Sequence, residues 1–152
     1  MQGMLKPYAT RAGILGGIVG AVVLLLSLIP LVGLCLLLVA WVVFVGTGVY
    51  AVMQGKKQGA TMTIQQGGID GAVSGGIAGV IAYVVKFIAD IILGVVFSVG
   101  LSTGVSDATS SVAATILGSC FGLVFGIIGA IIVGAIGGLI YAAIQQSQNK
   151  AA

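Results

Sequence analysis

Residues 12–29, AGILGGIVGAVVLLLSLI, and residues 31–53, LVGLCLLLVAWVVFVGTGVYAVM, are separated only by Pro30 and carry no charged side chain. Each is close to the roughly 20 apolar residues that a helix needs to cross a hydrocarbon core. Neither alternates with period two, so helix is the expected form, and in lipid a backbone must satisfy its own amides as helix or closed barrel. Pro30 has no amide proton and disfavours helix at the preceding residue, which suits a tight corner between antiparallel helices. Two further apolar runs, at 68–88 and 116–144, bring the expected spans to four. The expected fold is all-α: a single integral membrane domain over 1–152, built as a four-helix bundle. A linker falls at 54–67, and a longer segment at 90–115 lies between the third and fourth spans.

Apolar residues make up 59% of the 152 and charged residues 6%, too little polar surface to cover a water-soluble domain. Lys6 and Arg11 precede the first span, Lys56 and Lys57 lie between the second and third, and Lys150 follows the fourth. Five of the six cations thus fall on one side, whereas the segment Ser102 to Asp107 opposite has none, so the positive-inside rule puts both termini in the cytoplasm. The first run follows cations as a signal peptide does, but no small-x-small cleavage site leads into a polar chain, so it reads as an uncleaved span. The net charge of +3 forms no basic stripe and gives no reason to expect nucleic acid. Membrane lipids and other integral membrane subunits, or copies of this chain, are the expected partners.

Self-similarity at long period is a fold signal in its own right. Gly16-Gly17-Ile18-Val19-Gly20 reappears as Gly75-Gly76-Ile77-Ala78-Gly79, Gly33-Leu34-Cys35 resembles Gly118-Ser119-Cys120, and Tyr50 to Gln54 resembles Tyr141 to Gln145. Apolar low-complexity sequence produces such matches by chance as well as by duplication of a hairpin. Under duplication the offset grows from 59 to 85, which places 26 extra residues around Asp90 to Thr115 on the outer side. The third membrane helix then ends near Lys86, and Ile91 to Leu101 forms an apolar interfacial segment. The competing reading is one long helix running through residue 100.

The Gly-rich first span, Leu28-Ile29-Pro30, the Cys35-bearing second span and Gln65-Gln66-Gly67-Gly68-Ile69-Asp70-Gly71-Ala72 together resemble small glycine-rich four-span prokaryotic membrane proteins grouped as domains of unknown function. The resemblance covers residues 11–85. It implies a fold and a prokaryotic cytoplasmic membrane, and no activity.

Glycine supplies 26 of the 152 residues. Gly118, Gly122, Gly126, Ala130, Gly134, Gly138 and Ala142 recur every four residues, as do Gly67, Gly71, Gly75 and Gly79, with Gly16 and Gly20 a shorter pair. Four-residue spacing stacks small residues on one helix face, where two backbones can approach closely and gain dispersion contacts. These are candidate packing seams, within the bundle or between subunits. A pore lined by glycine backbone is the remaining alternative.

Lys86 and Asp90 are four apart, hence on one helix face, and are the ionisable pair nearest a membrane segment. At mid-membrane Asp90 would be a candidate carrier of protons or ions; at the interface the pair would be a solvated anchor. Asp70 reads as a helix N-cap and Asp107 as a turn residue. Cys35 and Cys120 lack metal or redox spacing and read as small buried apolar residues. With no His and no Glu, and no Ser or Cys beside a plausible base, no catalytic constellation, metal site or cofactor site can be assembled. The expected function is a non-enzymatic structural or assembly subunit. The alternatives are a small channel or transporter using Lys86 and Asp90, and a proton-translocating proteolipid.

Overall fold

The computed structural model describes residues 6–29, 33–59, 63–101 and 105–151. Four helices follow one another: α1 (Pro7–Leu26), α2 (Gly33–Lys57), α3 (Ile64–Leu101) and α4 (Val105–Ala151). There is no strand among the described residues. Local chemistry accounts for several of the ends. Pro7 opens α1, where its missing amide proton would have had no helical partner. The Ser27 hydroxyl bonds the Leu24 carbonyl at the far end. Lys56 and Lys57 occupy the last turn of α2, where cations oppose the helix dipole, and Gly59 follows at φ +77, the left-handed conformation that closes helices.

Tyr8 meets Asp70 and Gly20 meets Ala82, so residue i of α1 lies level with residue i + 62 of α3 and the two helices run parallel. Gly16 lies against Thr47 and Gly20 near Phe44, so α2 runs antiparallel to α1. In the same way α4 returns along α3. The two hairpins lie side by side, with α1 against α2 and α3, and α4 against α2 and α3. At the centre Leu24 and Phe44 pack among Ala21, Ala40, Ala78, Ala82 and Ala130, and the Phe44 and Tyr83 rings stack with centroids 6.0 Å apart.

The distribution of side chains is the reverse of a water-soluble bundle. Small residues fill the inside, while Ile, Leu, Val and Phe cover the outside on every helix, among them Ile18, Val42, Ile88 and Phe125. Such a surface suits a hydrocarbon solvent, and close approach of small residues is how helices associate there. All four helices are long and apolar enough to cross a membrane.

The structure corrects several boundaries. The third helix does not end near Lys86 but continues to Leu101, as in the single-long-helix reading. The segment 90–115 is therefore absorbed mostly into α3 and α4. The linker expected at 54–67 is shorter, because α2 runs to Lys57 and α3 starts at Ile64. Asp107 falls in the first turn of α4 rather than in a loop. Cys35 and Cys120 are exposed free thiols, not buried ones. The corner at Pro30 and residues 102–104 lie outside the described residues.

Candidate functional site

Helices α3 and α4 approach each other closely, and glycine is what permits it. A Cβ added to Gly71 would fall on the Gly134 carbonyl oxygen, and one added to Gly75 on the Ala130 carbonyl oxygen. One added to Gly134 would lie 2.5 Å from the Gly71 oxygen and 2.8 Å from the Gly75 Cα. Gly138 stands against the Gly67 carbonyl, and Gly79 against Ala130. At Gly71, Gly75, Gly134 and Gly138 backbone therefore touches backbone, with no side chain there to yield. Gly16 serves the first hairpin, pressed by the Thr47 side chain, and Gly20 sits near Ala82.

Further along α4 the pattern changes. The Tyr83 ring occupies the space beside Gly126, and beyond it Gly118 and Gly122 meet nothing within 4 Å among the described residues. The contact glycines absent from the four-residue pattern include Gly48 against Gly134, Gly129 under the Trp41 indole, and Gly137 against the Val45 carbonyl. These join α4 to α2. Their signal in the sequence is the eight-residue spacing of Gly129 and Gly137, out of phase with the seam that faces α3.

Above the Tyr83 wedge the two helices enclose a groove of about 360 Å³, lined by Lys86, Phe87, Asp90, Ser119 and the two open glycines among others. They close again where Thr115 reaches Gly94. The Lys86 ammonium donates to Asp90 Oδ2 at 2.6 Å, and the Ser119 hydroxyl donates to the same oxygen at 3.4 Å. The pair is partly shielded, with side-chain exposures of 27% and 17%.

A second ion pair lies at the opposite end of the bundle. Asp70 Oδ2 accepts the Tyr8 hydroxyl at 2.6 Å and the Lys6 ammonium at 3.2 Å. Asp70 is only 3% exposed. It stands in the second turn of α3, so it is not the N-cap; that place belongs to Thr63, whose hydroxyl accepts the Gln66 amide. The adjacent Tyr8 hydroxyl, and after it Asp70, hold the Lys6 ammonium above the ordinary lysine value, while partial burial works the other way. One turn further, the buried Ser74 hydroxyl bonds the Gly71 carbonyl at 3.0 Å.

The two ion pairs measure the bundle. Asp70 and Asp90 are separated by 20 residues of one helix, about 30 Å, which matches the thickness of a hydrocarbon core. By the offset of 62, Asp90 lies level with Leu28, at the loop end of the first hairpin. The two ion pairs thus stand about one hydrocarbon thickness apart along α3. Chemically, the groove can hold a small polar species against one ammonium, one carboxylate and one hydroxyl. Compared with protein-family models, curated proteins and solved structures, the chain shows no match.

Proposed function

We propose that this chain is a non-enzymatic integral membrane subunit that packs against other membrane helices, as a homo-oligomer or within a larger complex, with both termini cytoplasmic. The supporting observation is a mismatch of height. Ile29, the last described residue before the corner of the first hairpin, lies level with Ile91, and α3 runs ten residues, about 15 Å, beyond that level. The apolar stretch Ile64–Val96 is 33 residues, about 50 Å. Tilting by 40°, the top of the usual range, still leaves about 38 Å, more than the roughly 30 Å of a hydrocarbon core. Eight of those 33 residues are buried within the chain, and none of them lies beyond Ala82. The overhang exposes Ile92, Leu93, Val95 and Val96, and an apolar surface of this kind is satisfied by another protein. Extraction in mild detergent followed by native mass measurement tests the reading. A whole-number multiple of the chain mass, or a stoichiometric second polypeptide, is expected; a monodisperse monomer without companions overturns it.

The groove favours a second reading, a small channel or transporter in which Lys86 and Asp90 border a water path. On that reading Asp90→Asn changes proton or ion flux in reconstituted vesicles, whereas a purely structural subunit has no flux to change. A proton-translocating proteolipid fits less well, because such a mechanism places its carboxylate at mid-span and Asp90 lies level with a helix end.

A further inference from the structure

The chain has three acidic side chains, Asp70, Asp90 and Asp107. Asp70 is held by Lys6 and Tyr8, Asp90 by Lys86, and Asp107 belongs to the first turn of α4 at the far end of the bundle. Among the described residues, Arg11, exposed on α1 one turn after Tyr8, therefore has no free side-chain carboxylate at its own end of the bundle to pair with. A guanidinium on a membrane helix without an internal counter-ion draws one from its surroundings.

The side chains around it have matching chemistry. Arg11, Tyr8, Tyr50, Gln54, Gln58 and Leu15 line a pocket of about 210 Å³ between α1 and α2. The Gln54 amide donates to the Tyr50 hydroxyl oxygen at 2.7 Å, which leaves the phenolic proton and the second amide proton to donate elsewhere. Gln58 adds another amide just past the end of α2. The lining is thus rich in donors, holds a fixed positive charge and has no carboxylate. Directly below it Leu15, Val19, Val22 and Leu26 form one stripe along α1, each about half exposed. A polar pocket at a helix end with an apolar stripe running from it matches an amphiphile, with the headgroup in the pocket and an acyl chain on the stripe.

We infer that Arg11, Tyr50, Gln54 and Gln58 form a binding site for the phosphodiester headgroup of an anionic phospholipid, with an acyl chain lying along Leu15 to Leu26. The planar guanidinium can engage two phosphate oxygens at once, and the amides and phenol supply the remaining donors.

The test uses the full chain reconstituted in nanodiscs of equal phosphatidylglycerol and phosphatidylcholine, followed by native mass measurement of the lipid it retains. Wild type is expected to keep the anionic lipid over the zwitterionic one by about five-fold, the factor that one basic residue contributes at an anionic surface. Arg11→Gln is expected to remove that preference, and Lys57→Gln, which takes away a neighbouring cation that does not line the pocket, to lower it less. Gln54→Leu combined with Gln58→Leu keeps the charge and removes amide donors; a weaker preference is expected, and it serves as the decisive variant if Arg11→Gln does not fold. A preference unchanged in both variants overturns the site. Inorganic phosphate, added to lipid-free protein in detergent, separates the two sources of phosphate. If millimolar phosphate stabilises wild type but not Arg11→Gln, and no lipid preference is seen, the ligand is a soluble phosphate and the lipid assignment fails.

Discussion

Gly134→Leu is expected to separate α3 from α4 while leaving both as helices. The side chain has nowhere to go. Even its Cβ falls 2.5 Å from the Gly71 carbonyl oxygen and 2.8 Å from the Gly75 Cα, and both belong to helix backbone that cannot rotate aside. Overpacking a tight contact costs about 1–3 kcal/mol when side chains can shift; here the helices themselves must move apart, and the dispersion contacts from Gly67 to Ala142 are lost together. Helicity in detergent should persist, because each span satisfies its own backbone. Thermal unfolding of the tertiary structure should shift down by many degrees, or the cooperative transition should vanish. Gly134→Ala should show the same effect in smaller measure. The control is Gly118→Leu, an identical change on the same helix at a position that meets nothing within 4 Å among the described residues; its melting should stay near that of wild type. Equal melting of the Gly134 and Gly118 variants would show that the observed helix contact contributes nothing.

The contrast between those two glycines bears on what the sequence could reveal. Four spans, their helical form and the small-residue stripes were all legible, because lipid demands continuous apolar helices and close packing demands small residues at fixed spacing. Which part of a stripe is filled was not legible. Gly118, Gly122 and Gly134 are equivalent in spacing, and only the three-dimensional splay above Tyr83 distinguishes them. The cysteines were misplaced for a related reason. In a membrane protein, apolar character does not separate inside from outside, so an apolar Cys120 can face outward at no cost. The end of α3 was misread because Lys86 and Asp90 look like a break in hydropathy, yet as an i,i+4 pair they neutralise each other on one face and the helix runs on. Asp70 shows the limit of local reading most clearly. Its position near the start of a span suggested a cap, but its partners lie more than sixty residues away on α1.

That distance makes Asp70 the second position where a single change should be costly. Asp70→Leu removes the acceptor of the Tyr8 hydroxyl and the counter-ion of Lys6 at once. The two losses differ in weight. Lys6 keeps 25% side-chain exposure, so water and salt screen its pairing and little of the cost falls there. Tyr8 is 5% exposed, and a buried hydroxyl without an acceptor costs about 1–3 kcal/mol. Tyr8→Phe acts from the other side, taking away the shorter of the two bonds to a carboxylate that is itself buried, so it too should destabilise. Because both variants break one cluster, their effects should not add: the double variant Tyr8→Phe with Asp70→Leu is expected to be less destabilised than the sum of the singles, since it leaves neither a lone hydroxyl nor a lone carboxylate. Lys6→Gln should be the mildest of the series. Thermal melting of the four proteins in one detergent measures the cycle. Strict additivity, or an Asp70→Leu variant as stable as wild type, would mean that the cluster does not tie α1 to α3. If the coupling is present, α1 is anchored to α3 by a polar contact at one end and by Gly13, Gly16 and Gly17 along its length, and the first hairpin is held in the register from which the overhang of α3 follows.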